Sequence, residues 1–116
     1  MSRLAIMVAL ALGAAGAASA NEADTTADVR CLVVVSAMAS ASPEQQSSAM
    51  MAALYYLGRI DGRTPALDLE ARLIQETGRF APKDMAAEGK RCGAHLMSRG
   101  TRLQEIGARL SAAAKK

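Results

Sequence analysis

The stretch Ala27-Asp28-Val29-Arg30-Cys31-Leu32-Val33-Val34-Val35-Ser36-Ala37-Met38-Ala39-Ser40-Ala41, residues 27–41, decides the fold class of this chain. Its centre, Leu32 to Val35, would suit a β-strand, because β-branched residues favour strands. The apolar segment is longer than a typical strand, and its Ala-rich continuation favours a helix. The spacing then places Leu32, Val35, Met38 and Ala39 on one face of a first helix predicted from about Ala27 to Ala41.

Upstream of this helix, residues 1–20 carry the pattern of a secretory signal peptide. Arg3 supplies a positive charge, Leu4 to Leu12 form an apolar core, and Ala18-Ser19-Ala20 is a small-x-small cleavage site. We therefore expect cleavage after Ala20 and a periplasmic or secreted mature protein. The alternative, an N-terminal helix of the folded domain, is disfavoured because the Ala-rich stretch has no amphipathic period.

The mature chain is expected to begin with a short leader and then to fold as one domain. Residues 21–26 are predicted to be flexible, and Thr25 with Asp28 three residues later resembles a capping box at the start of the first helix. Residues 27–116 are too few for more than one domain. Aromatic residues make up only 3% of the chain, so the core has to come from aliphatic side chains, as in helical packing.

Two Ser/Thr-Pro pairs mark the starts of the next two helices. Ser42-Pro43 and Thr64-Pro65 each place a capping residue before a proline at the first helical position. We predict a second helix from Pro43 to about Asp61 and a third from Pro65 to about Thr77, with Gly62 as a left-handed terminator and Gly78 as the stop.

The second helix is predicted to carry apolar side chains on two neighbouring sides. Its two tyrosines point to different sides, so one is expected in the core and the other at the surface. One side holds Met50, Ala53, Leu54, Leu57 and Asp61, and the next holds Met51, Tyr55 and Gly58.

The last helix is predicted to open at Pro82 and to carry a long stripe of mostly apolar residues. Gly93, Gly100 and Gly107 lie beside this stripe at intervals of seven. Because a glycine inside a helix costs about 1 kcal/mol relative to alanine, they imply close helix contacts or a bend near Gly100. The stripe comprises Met85, Gly89, Cys92, Leu96, Arg99, Leu103, Ile106, Leu110 and Ala113.

Cys31 and Cys92 are the only cysteines, and both follow the predicted cleavage site. An even pair in a small exported domain predicts an intramolecular disulfide, with a free thiol or an intermolecular pair as the alternatives. The bridge would close a loop of roughly 60 residues, worth about 4 kcal/mol if it acts by constraining the unfolded chain. The sequence thus predicts a small all-α bundle of three or four helices with one disulfide.

Charge is distributed unevenly along the mature chain. Residues 21–88 contain 6 basic and 10 acidic side chains, whereas residues 89–116 contain 7 basic and 1 acidic. The C-terminal segment is therefore a basic arm on an acidic body. The arm could be solvated and attracted to the body, or it could contact an anionic surface.

The residues that catalysis or cofactor binding requires are largely missing. His95 is the only histidine, so no Cys/His metal set forms at helical spacing, and a partly exposed helical histidine is the favoured interpretation. The chain contains no Cys-x-x-Cys pair and no phosphate-binding glycine loop. We expect neither an enzyme, a metal nor a cofactor, although a small enzyme using His95 is a further alternative. The basic residues lack interleaved aromatics, which argues against nucleic-acid binding.

Five methionines remain after the predicted cleavage, and methionine suits both irregular cores and permissive binding surfaces. Core filling is the favoured interpretation for most of them, and Met97 is predicted to be exposed. The candidate partner surface therefore consists of Met97, Arg99, Arg102 and Arg109 on the last helix.

The order of these features resembles that of small periplasmic helical proteins. Arg30-Cys31-Leu32 lies early in the first mature helix, Tyr55-Tyr56-Leu57-Gly58 through Gly62 ends the second, and Lys90-Arg91-Cys92 begins the last. The layout is similar to that of the HdeA-like acid-stress chaperones and of periplasmic immunity proteins that neutralise peptidoglycan amidases. The chain departs from the HdeA-like pattern in having no tryptophan and a longer basic C-terminal arm.

The resemblance implies a non-catalytic role, either shielding unfolded clients or blocking the active site of one partner. We therefore expect a non-enzymatic binding protein of chaperone or inhibitor type with a protein partner or unfolded clients. The alternative is a peripheral envelope protein that binds anionic lipid or cell-wall polymer through its basic last helix. The sequence leaves the oligomeric state open.

Overall fold

The computed structural model describes the backbone of residues 2–115 and the side chains of residues 20–115. Over that range the chain is all-helical and contains no strand. A short 3-10 helix, Pro43–Gln45, separates the first two α-helices. The four α-helices are α1 (Ser2–Ala41), α2 (Gln46–Arg63), α3 (Leu69–Arg79) and α4 (Pro82–Ala114). The all-α prediction is confirmed.

The chain divides into two compact units, Met1–Arg79 and Phe80–Lys116. In the first unit, α1 packs against both α2 and α3. Its segment Cys31 to Val35 is buried at every position, so the β-branched residues that would suit a strand form a helix enclosed on all sides. Burial around the whole circumference explains why this part of α1 is apolar without interruption.

The start of α1 differs from the prediction. Residues 21–26, expected as a flexible leader, are helical, and the side chain of Thr25 is completely buried. Thr25 and Asp28 do not cap a helix, because α1 begins far upstream of them. The side chains of residues 1–19, on which the signal-peptide prediction depends, lie outside the described residues, and cleavage after Ala20 remains a prediction.

The ends of α2 and α3 also differ from the prediction. α2 continues through Gly62 to Arg63, and no described glycine has a positive φ, so Gly62 is not a left-handed terminator. α3 begins at Leu69 rather than Pro65. Its start is fixed by Asp68, whose Oδ1 accepts a hydrogen bond from the backbone N–H of Ala71 at 3.1 Å. An acidic side chain that accepts from the first turn of a helix is a typical N-terminal cap.

The second unit contains α4, which runs without interruption from Pro82 to Ala114 and therefore continues through Gly100. The N-terminus of α4 is held by Asp84, whose Oδ2 accepts a hydrogen bond from the backbone N–H of Ala81 at 3.1 Å. Gly93, Gly100 and Gly107 do not mark close contacts, since a Cβ atom built on each meets nothing within 4 Å among the described residues.

Candidate functional site

The inward side of α2 is formed by Ala49, Tyr56 and Ile60. Tyr56 and Ile60 are each only 1% exposed, and Ala49 is buried as well. Tyr56 confirms the expectation that one tyrosine belongs to the core, and Tyr55 is half-buried beside it with the two rings edge-on at 5.2 Å. The inward side of α2 is therefore defined by residues 49, 56 and 60, not by its methionines.

The same inward side of α2 continues with charged residues that contact α1. Arg59 Nε and Arg63 Nη2 both donate hydrogen bonds of 3.0 Å to Oδ2 of Asp28, whose residue is 4% exposed. Arg63 also donates to Thr25 Oγ1 at 3.5 Å. A carboxylate buried to this degree is tolerated because two guanidinium groups neutralise it and satisfy its acceptor oxygen.

Arg59 stays charged in this setting. Partial burial lowers the pKa of its guanidinium, but the hydrogen bonds to Asp28 and Tyr55 outweigh burial and hold the pKa above its ordinary value. The Arg59 guanidinium also lies 5.8 Å from the centre of the Tyr55 ring, within cation–π range. Because a raised pKa leaves the charge in place at every pH below the ordinary value, the Arg59 guanidinium is charged near neutrality.

A second cluster of charges joins α3 to α1. Glu76 is 1% exposed and its Oε1 lies 3.1 Å from Arg79 Nη1 and 3.5 Å from Arg72 Nε. Arg72 reaches across to α1, where it donates hydrogen bonds to Glu22 and Thr26. These contacts hold residues 22–26 of α1 against α3. Both charge clusters are structural, because each joins α1 to a neighbouring helix. Glu76 itself pairs with Arg72 and Arg79 within α3.

The outward side of α2 carries exposed apolar side chains, and this is the feature that sequence reasoning missed. Met50, Met51 and Leu54 are 56%, 74% and 60% exposed. Core filling is therefore wrong for Met50 and Met51, as it is for Met38 at the end of α1. Successive residues of a helix are about 100° apart, so the three side chains of α2 share an arc of about 100°. We call Met50, Met51 and Leu54 the α2 apolar face.

The residues predicted as a partner surface all lie in the exposed C-terminal part of α4. Met97 is 75% exposed, which confirms its predicted exposure, and Arg99, Arg102 and Arg109 are exposed too. The three arginines share an arc of about 80°, whereas Met97 lies about 120° from Arg109. The structure thus groups the arginines on one side of α4 and separates Met97 from them.

The stripe of α4 is only partly buried. Cys92 is buried, whereas Leu103 and Leu110 are 70% and 66% exposed.

Cys31 and Cys92 are both disulfide-bonded, and they are the only two cysteines, so the predicted Cys31–Cys92 bridge is confirmed. His95 is half-buried and has an interaction partner. Among the residues that the structure describes, no three His, Cys, Asp or Glu side chains are grouped so that they could hold a metal ion.

No protein-family model, curated protein or solved structure matches this chain. The candidate site therefore depends on the geometry of this molecule alone. One signal in the sequence points to the inward charges of α2: Arg59 and Arg63 are four residues apart, which puts them on one side of a helix. Their partner, Asp28, is more than thirty residues away, and local spacing does not reveal such a contact.

Proposed function

We propose that this chain is a non-enzymatic, secreted binding protein of chaperone or inhibitor type, and that the α2 apolar face is its contact surface. The observation that carries the proposal is the outward position of Met50, Met51 and Leu54, while Arg59 and Arg63 face α1. The exposed side chains of Met50, Met51 and Leu54 contribute little to the stability of the fold, because the buried core residues of α2 lie on its opposite side. Exposed apolar groups of this kind are typical of interaction sites.

The composition of the α2 apolar face suits a partner that is itself apolar and irregular. Methionine is unbranched and flexible, so two adjacent methionines can adapt to different surfaces. Gly58 lies on the same side of α2, and a Cβ atom built there meets nothing within 4 Å among the described residues. This leaves open space beside Leu54 for a partner side chain.

Two modes of binding fit the resemblance to HdeA-like chaperones and to amidase immunity proteins. In the chaperone mode the α2 apolar face covers exposed apolar segments of many unfolded clients. In the inhibitor mode it packs on one folded partner. Both modes depend on apolar contact, so neither is weakened by moderate salt, which screens charges but not hydrophobic burial.

The test is capture of envelope proteins by the secreted form of the chain in its oxidised state. Bound proteins are washed first at low and then at moderate salt, and those retained are identified by mass spectrometry. Retention of one protein supports the inhibitor mode, and retention of many unfolded proteins supports the chaperone mode. The variant Met51→Ser/Leu54→Ser is expected to lose the retained proteins in either mode.

The matched control removes two exposed leucines elsewhere, in Leu103→Ser/Leu110→Ser. This variant is expected to retain the same proteins as the wild type. Loss of capture by the control but not by Met51→Ser/Leu54→Ser would place the contact surface on α4 and overturn the assignment to α2. Release of every captured protein by moderate salt would contradict the proposal as a whole.

A further inference from the structure

The C-terminal part of α4, from Met97 to Ala114, is a second exposed surface with different chemistry. Every residue between 97 and 115 is exposed except Ile106, which is half-buried. Residues 97–115 contain four basic side chains and one acidic side chain. Among residues 20–115, the structure gives Arg99, Arg102 and Arg109 no ion pair.

Apolar and basic groups lie next to each other along this part of α4. Leu103 and Leu110 are about 20° apart around the helix, and Arg99 lies about 20° beyond Leu110. Arg102 and Arg109 follow on the same side, within a further arc of about 80°. An apolar line bordered by cations is the arrangement of helices that lie in the interface of an anionic bilayer.

We propose that the C-terminal part of α4 binds the surface of an anionic phospholipid bilayer. Leu103 and Leu110 enter the boundary between head groups and acyl chains, and Arg102 and Arg109 contact lipid phosphates. Arg99, which lies closest to the leucines, extends its aliphatic stem along the apolar layer and keeps its guanidinium among the head groups. The helix lies along the surface for about 27 Å, the length of its eighteen residues.

Two other arrangements fit the observations less well. None of the helices, over the part of the chain that the structure describes, is long and apolar enough to cross a membrane, so α4 is assigned to the surface and not to the interior. Antiparallel pairing of α4 with α4 of a second copy through the leucines would bring the arginines of both copies to the same flank of the contact. The repulsion between like charges opposes that pairing.

The proposal goes beyond the proposed function, because it concerns α4 and not the α2 apolar face. Attachment to a bilayer would set where the protein acts, and the α2 apolar face would set what it binds. The two proposals predict different responses to salt. Binding to anionic lipid weakens because salt screens the attraction between charges, whereas apolar contact through α2 is not screened. Either one can fail without the other.

The test is co-sedimentation of the secreted protein with vesicles of phosphatidylcholine and phosphatidylglycerol, compared with vesicles of phosphatidylcholine alone. Binding is expected only to the anionic vesicles and is expected to weaken strongly between about 50 mM and about 300 mM salt. In Arg102→Gln/Arg109→Gln the partition coefficient is expected to fall about 30-fold, since each arginine near an anionic surface contributes about fivefold. In Leu103→Ser/Leu110→Ser the partition coefficient is expected to fall by a factor of about ten or more.

The matched control is Lys83→Gln/Lys90→Gln, which removes the same charge from exposed positions of α4. Both lysines lie about 150° from Leu103 around the helix. This control is expected to bind anionic vesicles within about threefold of the wild type, and so is Met51→Ser/Leu54→Ser. Circular dichroism of each variant verifies that its helices are intact.

Three results of the vesicle experiment, and one result for the free protein, would overturn the proposal. The first is absence of binding to the anionic vesicles at about 50 mM salt, and the second is equal binding to neutral and anionic vesicles. The third is equal loss of binding in Lys83→Gln/Lys90→Gln and Arg102→Gln/Arg109→Gln, which would indicate attraction by net charge alone. Sedimentation of the free protein as a dimer that Leu103→Ser/Leu110→Ser dissociates would assign the surface to a second copy instead.

Discussion

The carboxylate of Asp28 in α1 and the guanidinium of Arg63 in α2 lie 3.0 Å apart, and both side chains are largely buried. With Arg59 on the same oxygen, this contact holds the charged side of α2 against α1. The opposite side of α2, with Met50, Met51 and Leu54, is then left in solvent. The Asp28 contacts and the burial of Tyr56 and Ile60 therefore agree on which side of α2 faces α1.

Removing the charge of Asp28 is expected to destabilise the fold. Asp28→Asn keeps the shape of the side chain but leaves Arg59 and Arg63 without a counter-charge. Breaking one partner of a buried ion pair costs several kcal/mol, and because the arginines are partly solvated we expect a loss of about 2–4 kcal/mol. Urea unfolding at neutral pH measures the change.

A surface ion pair provides the comparison for Asp28. Glu88 and Arg91 form a pair at 2.7 Å on α4, with Arg91 well exposed. Glu88→Gln is expected to change the free energy of unfolding by no more than about 0.5 kcal/mol, as exposed pairs contribute little. If Asp28→Asn and Glu88→Gln gave the same small change, the Asp28 contact would not be what fixes α2.

The two sides of α2 are expected to respond differently to the loss of an aliphatic side chain. Ile60→Ala removes a fully buried group and is expected to cost about 2–5 kcal/mol. Leu54→Ala removes an exposed group and is expected to change the free energy of unfolding by about 0.5 kcal/mol or less. Thermal or urea unfolding measures the free energy of unfolding of both variants. A larger loss of stability for Leu54→Ala than for Ile60→Ala would mean that the side of α2 with Leu54, and not the side with Ile60, faces the core.

The disulfide is expected to supply a large part of the net stability of this small protein. It closes a loop of roughly 60 residues, and its loss is expected to cost about 4 kcal/mol. Cys31→Ser/Cys92→Ser should unfold at much lower urea than the oxidised wild type. Reductant should shift the wild type to the same midpoint and leave the double variant unchanged. An unfolding midpoint that does not respond to reductant would contradict a stabilising role for the bridge.

The glycines of α4 are expected to lower the stability of the helix without serving a contact in the described structure. Gly100→Ala and Gly107→Ala introduce a Cβ atom that meets nothing within 4 Å among residues 20–115. Each is expected to raise the helix stability by up to about 1 kcal/mol. Ala108→Gly, at an exposed neighbouring position, should lower it by a similar amount. Destabilisation by Gly107→Ala would reveal a contact that this structure does not contain.

Local signals predicted the helices well where a single residue controls the boundary. Pro82 opens α4, and Ala41 ends α1, as expected. The disulfide was predictable because two cysteines allow only one pairing within the chain. Gly62 failed as a terminator because α2 continues for one more residue without a left-handed turn.

The orientation of α2 could not be predicted from the spacing of its apolar residues. The spacing shows which side chains share a side but not which neighbour each side meets. Here the choice depends on Asp28, which is distant in sequence and pairs with Arg59 and Arg63. The packing of residues 22–26 was missed for the same reason, since Arg72 of α3 binds Glu22 and Thr26 from far along the chain.

Oxidation of methionines by dilute peroxide, followed residue by residue by mass spectrometry, tests the central claim most directly. In the free protein, Met51 and Met97 are predicted to oxidise quickly and half-buried Met85 slowly. Once a salt-resistant partner is bound, Met51 is predicted to be protected while Met97 continues to react. Slow oxidation of Met51 in the free protein, or unchanged oxidation of Met51 in the complex, would contradict the assignment of the α2 apolar face as the contact surface.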